Sequence, residues 1–168
     1  MKHSSVLIVG CGDIGIRTGG LLMAQGWGVA GVRRDSSKLP AEFFAYAANY
    51  TQSASLDFIA PLEPDFVLAT FNPADRTPAG YKAGFQTAMS HLISGLGSHR
   101  PRHILMVSST RVFAEALGGW VDEGSPLTDD DPCALEIIAA EQQLLTSGHN
   151  ASVVRFAGIY GIPGSRLM

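Results

Sequence analysis

Short, unbroken apolar runs alternate along this chain with longer segments in which apolar residues recur every three or four positions. Residues 5–9 form the first run, which enters Gly10-Cys11-Gly12-Asp13-Ile14-Gly15 and is followed over 16–25 by apolar residues at helical spacing. That order predicts a strand, a glycine turn and a helix. A second run, 29–32, ends in Arg33 and Arg34, and 36–40 reads as a loop leading into the alanine-rich segment 41–48. With one helix between them, the first two strands are expected as parallel neighbours. Residues 45–50 are a candidate third strand, and 65–71 a fourth, started by Pro64 and stopped by Asn72-Pro73. A helix over 81–96, a buried strand over 103–107 ending in Ser108-Ser109-Thr110, an amphipathic helix over 134–145 and a strand over 152–156 complete the series. Strands alternating with helices predict an α/β fold whose mostly parallel sheet is covered on both faces. The segment 115–132, with Gly118-Gly119, Pro126 and Asp129-Asp130-Asp131, breaks the alternation. It follows a strand's carboxyl end, the edge at which such sheets bind ligands, so it is either a wall of a site or a solvated connection.

Composition narrows the picture. The 168 residues are 46% apolar and 16% charged, which suits one globular domain over residues 1–168. A net charge of −3 leaves no broad basic footprint for nucleic acid, and a small molecule is the expected partner. The apolar runs fall far short of the roughly 20 residues that span a bilayer. Lys2 and His3 before a four-residue apolar run do not form a signal peptide, so no membrane partner and a cytoplasmic location are expected. Cys11 and Cys133 are far apart and the five His show no ligand spacing, which suggests neither a disulfide framework nor a metal site.

The spacing Gly10-x-Gly12-x-x-Gly15 carries a mechanism. The first glycine turns the chain, the second lets a pyrophosphate approach the backbone, and the third lets the helix pack closely on the strand. The phosphates then meet free N–H groups and the positive end of the helix dipole. Here the motif follows a strand, opens a helix and sits in a strand-helix-strand unit, the context that makes it a dinucleotide signature. The tip of the second strand chooses the dinucleotide: a carboxylate there binds the ribose hydroxyls of NAD, and an arginine accommodates the 2'-phosphate of NADP. Arg33 is the first residue out of the apolar run, and Arg34 adds a second guanidinium suited to phosphate. Asp35, at about the usual separation from the glycine turn, is the competing NAD reading. The strand register favours Arg33 and hence NADP, with NAD as the alternative.

At Ser108-Ser109-Thr110-Arg111-Val112-Phe113, and again at Arg155-Phe156-Ala157-Gly158-Ile159-Tyr160-Gly161, the chain resembles the extended short-chain dehydrogenases/reductases, the NAD-dependent epimerase/dehydratase-like proteins. The resemblance covers nearly the whole chain. It implies a Rossmann-type doubly wound parallel sheet and an NAD(P)-binding oxidoreductase or epimerase/dehydratase-like activity on an unidentified small molecule. The expected cofactor contacts are Gly10, Gly12, Asp13, Ile14, Gly15, Arg33, Arg34, Asn49, Thr70 and Ser108. Ser109 matches the family's serine that hydrogen-bonds the reacting oxygen, and is the catalytic candidate. Many members pair through the helices corresponding to 81–96 and 134–145, which implies a homodimer.

The chain departs from the family pattern at two places. The family helix carries Tyr-x-x-x-Lys, in which the lysine tunes a tyrosine that moves the proton; here Cys133 stands at the tyrosine and Ile137 at the lysine, with Glu141 matching a family glutamate four places on. A thiol is too short to reach the same oxygen, and isoleucine neither binds ribose nor tunes a neighbour. Asp122, Glu123 and Tyr160 are further groups able to approach the cleft, and Asp122-Glu123 matches a family pair that is more often structural. A non-catalytic NADP-binding sensor or regulatory domain is therefore the alternative to an enzyme. The second departure is at the end: members continue past Tyr-Gly-Pro-Gly into a substrate domain, so a C-terminal substrate domain largely absent from this chain is expected.

Overall fold

The structure is a computed structural model that describes residues 4–159. Its strands are β1 (Ser5–Val9), β2 (Gly28–Arg33), β3 (Phe44–Ala47), β4 (Phe66–Ala69), β5 (His103–Ser109) and β6 (Ala151–Phe156). They form one six-stranded sheet in the order β3-β2-β1-β4-β5-β6. Every pairing is parallel. The order reverses direction between β1 and β4, and the crevice outside the carboxyl ends at such a switch point is where ligands bind in open α/β sheets.

The helices are α1 (Asp13–Ala24), α2 (Ile59–Leu62), α3 (Pro78–Tyr81), α4 (Ala88–Leu96) and α5 (Pro132–Leu145). Val6 to Val9 are all apolar because β1 is buried on both faces. Leu7 and Val9 join Met89, Leu92, Leu96, Ile137 and Leu144 in the layer under α4 and α5. Val6 and Ile8 face the other way, with Val29, Leu39 and Phe43 under α1. Gly19 lets α1 lie close, since a Cβ there would stand 2.5 Å from the Phe43 ring.

Several boundaries differ from the sequence reading. Helix α1 begins at Asp13 rather than 16, with Gly12 as its N-cap. The third strand is Phe44–Ala47 and not 45–50, because Asn49 turns the chain by accepting from the Thr51 N–H and hydroxyl. The segment expected as a helix over 81–96 starts at Pro78 and is interrupted by a π-helical stretch, Lys82–Thr87. Gly84 lies within it, and a Cβ there would collide with the Asn72 carbonyl, so this close approach leaves no room for a side chain. Helix α5 starts at Pro132, two residues before the expected 134, with the Asp131 carboxylate accepting from Cys133 N and Ala134 N.

One charged network lies inside the layer under α5. Glu141 is 2% exposed, accepts two hydrogen bonds from Arg155 on β6, and accepts a third from the Ser108 hydroxyl on β5. Arg155 also covers the Phe113 ring, at 5.0 Å from its centroid. The network ties α5, β5, β6 and the segment after β5 together just below the sheet's carboxyl edge. Removing one partner of a buried pair leaves the other charge uncompensated. Glu141→Ala is therefore expected to lower unfolding free energy by about 3–5 kcal/mol in urea denaturation; a change below about 1 kcal/mol would show that Arg155 is solvated instead.

Candidate functional site

The glycine turn sits at the switch point and is held from both sides. Gly10 N and Cys11 N both donate to the Val32 carbonyl at the end of β2, and Thr70 N donates to the Val9 carbonyl. Thr70 Oγ1 donates to the Gly10 carbonyl at 2.8 Å. Gly10 has φ +82°, and a Cβ there would lie 2.6 Å from the Thr70 carbonyl oxygen, so no other residue fits without strain. Gly15 packs against Ile8, where a Cβ would stand 2.8 Å from its methyl group. Gly12 is different: a Cβ there meets only the Gly10 carbonyl, at 3.8 Å, and the space above it is open. No side chain caps α1, so the N–H groups of its first turn, which includes Asp13 and Ile14, have no side-chain acceptor among the described residues. Asp13 turns its carboxylate to Arg17.

Cys11 fills the space between Gly15 and Gly31, as a small apolar residue would. Burial pushes its thiol up to about 11, against the opposing charge of Arg33, so it is a protonated, unreactive thiol at neutral pH.

A cleft of about 520 Å³ opens over Gly10 and Gly12 and runs to the tips of β2 and β3. Arg33, Arg34, Asp35, Lys38 and Asn49 line it. Asp35, the competing carboxylate, caps the turn Ser36–Lys38: its side chain accepts from Ser37 N and Ser37 Oγ and pairs with Lys38 at 3.4 Å. The Ser37 hydroxyl bond, ahead of the other contacts, holds its carboxyl below the ordinary range. Arg33 and Arg34 have no carboxylate partner among the described residues. A smaller cavity of about 170 Å³ continues from Gly10 and Gly12 past Thr70 to Val107, beside the end of β5.

At that far end the structure separates the candidates. Ser108 is buried and spends its hydroxyl on Glu141. Ser109 is half-buried; its Oγ accepts from Arg111 N at 3.2 Å, and its own O–H has no acceptor among the described residues. Cys133 is 7% exposed with its Sγ 4.0 Å from the Arg76 carbonyl, and Ile137, 1% exposed, is a core residue under α5. Asp122 closes a local turn with Gly124 and Ser125, and Glu123 is exposed. Tyr160 lies outside the described residues. The loop after β5 is pinned at its base by the Phe113–Leu127 bridge, while its tip exposes Leu117 and Trp120 completely.

A cluster that sequence reasoning did not single out stands next to Ser109. Arg111 donates twice to Asp131, at 2.6 and 3.0 Å, and once to the Tyr81 hydroxyl at 2.9 Å, with its guanidinium 5.0 Å over the Tyr81 ring. The signal for half of it was available, since Asp before Pro at a helix start is a cap signature. Among the described residues no group of three metal-ligating side chains comes together, and no helix is long and apolar enough to cross a membrane.

A scan against protein-family models and a search of curated proteins found no match. Solved structures do match. The chain is similar to a protein of Methylobacillus flagellatus described as an NAD-dependent epimerase/dehydratase, with TM-score 0.80 and 30% identity, covering 95% of this chain and 56% of that one. It shares its fold with the Bordetella bronchiseptica enzyme WbmH, solved with NAD+, at TM-score 0.78 and 19% identity, over 93% of this chain and 57% of that one. The UDP-glucose 4-epimerase of Thermotoga maritima matches at TM-score 0.81 and 19% identity, over 94% of this chain and 56% of that one. The chain thus spans a little over half the length of these proteins.

The Arg111–Asp131 pair makes this edge of the site sensitive to acid. Hydrogen bonds from Arg111, more than those from Ala134 N and Cys133 N, hold the Asp131 carboxyl below the ordinary range against the opposing effect of burial. A depressed folded-state pKa adds stability that is fully present above the unfolded carboxyl's titration near pH 4 and is lost as pH falls through the folded value. Thermal melts should therefore place Asp131→Asn below wild type at neutral pH, with the gap closing on acidification; a gap that stays constant with pH would contradict the ion pair.

Proposed function

From the premise that this chain carries the cofactor-binding fold of the NAD-dependent epimerase/dehydratase-like, extended short-chain dehydrogenases/reductases, we propose that it binds a nicotinamide dinucleotide, NADP in preference to NAD. It serves the nucleotide half of an oxidoreductase or epimerase/dehydratase-like enzyme acting on a small molecule. The observation that carries the NADP preference is the division of charge at the tip of β2: Asp35 is committed to Ser37 and Lys38, while Arg33 and Arg34 line the same cleft without carboxylate partners among the described residues. Guanidinium groups match phosphate geometry and make charge-assisted hydrogen bonds about twice as strong as neutral ones.

The residues present fit a dinucleotide. Gly12 leaves room above the turn, and the uncapped first turn of α1, at Asp13, Ile14 and Gly15, offers N–H groups and the positive end of the helix dipole to a pyrophosphate. Asn49, whose Oδ1 is held by Thr51, lines the cleft together with Arg33. Thr70 holds the turn through the Gly10 carbonyl. Ser108 supports the end of β5 from within, and Ser109 is the hydroxyl able to donate to a substrate oxygen. When bound, the dinucleotide supplies or takes up a hydride. Two chains pair through α4 and α5 in this reading, where Leu135 and Leu145 are 41% and 55% exposed on α5.

Burial of Cys133 and Ile137, at the positions of the family's Tyr and Lys, favours a second reading, a dinucleotide-binding sensor without chemistry of its own. Transfer of label from labelled NADPH to an acceptor separates the two, because a sensor performs none.

Calorimetric titration tests the binding reading. NADP should bind more tightly than NAD, and Arg33→Ala or Arg34→Ala should each weaken NADP by about tenfold or more while leaving NAD nearly unchanged. Equal affinity for both dinucleotides would refute the NADP preference. Gly12→Ala should keep a thermal midpoint close to wild type, because the added methyl meets no neighbour closer than 3.8 Å, yet lose affinity for both dinucleotides. Unchanged affinity in that variant would place the pyrophosphate elsewhere.

A further inference from the structure

Oxidation or reduction at a carbonyl or alcohol carbon requires a proton to move at the attached oxygen, and a positioned side chain with a suitable partner does this best. Among the described residues beside Ser109 the choices are few. Cys133 is turned into the protein against the Arg76 carbonyl, and Asp131 is engaged by Arg111 and two backbone N–H groups. Tyr81, on α3, is half-buried and meets the side chain of Arg111, whose backbone N–H reaches Ser109. Its hydroxyl oxygen accepts from Arg111 Nη1 at 2.9 Å, and its own hydrogen has no acceptor among the described residues. The phenol thus has a cation fixed on its oxygen and a proton free to give.

Two further observations bear on this geometry. Arg111 is clamped by two bonds to Asp131 while its backbone N–H reaches Ser109 Oγ at 3.2 Å, so one residue links the phenol to the serine hydroxyl. Tyr81 is also the last residue before the π-helical stretch Lys82–Thr87, and π segments re-aim side chains and concentrate at functional sites.

We propose that Tyr81 moves the proton at the substrate's reacting oxygen, with Arg111 stabilising its anion, in place of the tyrosine-lysine pair that Cys133 and Ile137 have displaced. The proposal rests on the dinucleotide reading above. In the direction of reduction the Tyr81 O–H bond breaks and an O–H bond forms on the substrate oxygen. The phenolate left behind is paired with Arg111, and the hydride with its two electrons would reach the carbon from a reduced dinucleotide held in the cleft. Oxidation runs the same steps in reverse. The guanidinium that donates to the phenol oxygen at 2.9 Å is already in place to pair with it as the proton leaves.

The test has one readout on the protein alone and one with cofactor. Phenylmethanesulfonyl fluoride, followed by peptide mapping, should label Tyr81 faster than the half-buried Tyr46 and Tyr50, and Arg111→Gln should abolish that preference. With NADPH and phenanthrenequinone as the probe carbonyl, Tyr81→Phe should lose about 10²- to 10⁴-fold in turnover. It should also lose the pH-dependent limb of the wild-type profile, while Cys133→Ala keeps both and every variant keeps wild-type affinity for NADP. Labelling of Tyr81 no faster than of Tyr46 and Tyr50 overturns the assignment. So does turnover that survives Tyr81→Phe, or a wild-type chain that binds NADP and reduces no probe. Failure of NADP to bind, by contrast, sinks the dinucleotide reading itself.

Discussion

The carbonyl of Val32 accepts from both Gly10 and Cys11, and the carbonyl of Gly10 accepts from the Thr70 hydroxyl. These bonds fasten the turn after β1 to the ends of β2 and β4, on either side of it, and they need a backbone at φ +82° with no side chain in the way. The groups around the glycine turn take their position from this fastening. It sets where α1 begins, and therefore where the N–H groups of its first turn lie. It also puts the tip of β2, with Arg33 and Arg34, and the end of β4, with Thr70, around a single crevice.

Charge is divided along that crevice in a consistent way. At the β2 end the carboxylate of Asp35 is absorbed by a local turn, and the arginines are left for a ligand. At the β5 end Asp131 both caps α5 and clamps Arg111, which in turn holds the Tyr81 hydroxyl. Deeper in, Glu141 is neutralised by Arg155 and supports Ser108 from below. Asp35, Asp131 and Glu141 are thus each matched within the protein. The guanidinium groups of Arg33 and Arg34 and the Ser109 hydroxyl are what remain open for the proposed ligands.

Much of this was legible in the chain. Unbroken apolar runs gave away strands buried on both faces, and glycine spacing after the first of them marked the turn. The third strand was drawn three residues too long at its end because β-propensity over Ala45 to Tyr50 says nothing about the side-chain turn that Asn49 makes with Thr51. The π-helical stretch was invisible for a related reason: it depends on the close approach of Gly84 to Asn72, a tertiary contact. Arg33 and Arg34 stood out because they follow the end of an apolar run, and Ser109 because of the family resemblance. The contacts of Tyr81 with Arg111 and of Glu141 with Ser108 were not legible, since the partners lie 30 and 33 residues apart, a separation no local pattern encodes. Ser108 shows the limit of resemblance, since the residue matches a cofactor position while its hydroxyl is spent on Glu141.

The central claim is that the crevice over Gly10 and Gly12, bounded by Arg33 and Arg34, holds NADP. A crystal structure of the chain grown with NADP tests it most directly. The account predicts the pyrophosphate over the first turn of α1 and the 2'-phosphate within about 3 Å of the Arg33 or Arg34 guanidinium. A dinucleotide whose ribose hydroxyls sit on Asp35, with both arginines turned to solvent, or one bound away from the glycine turn, would contradict it.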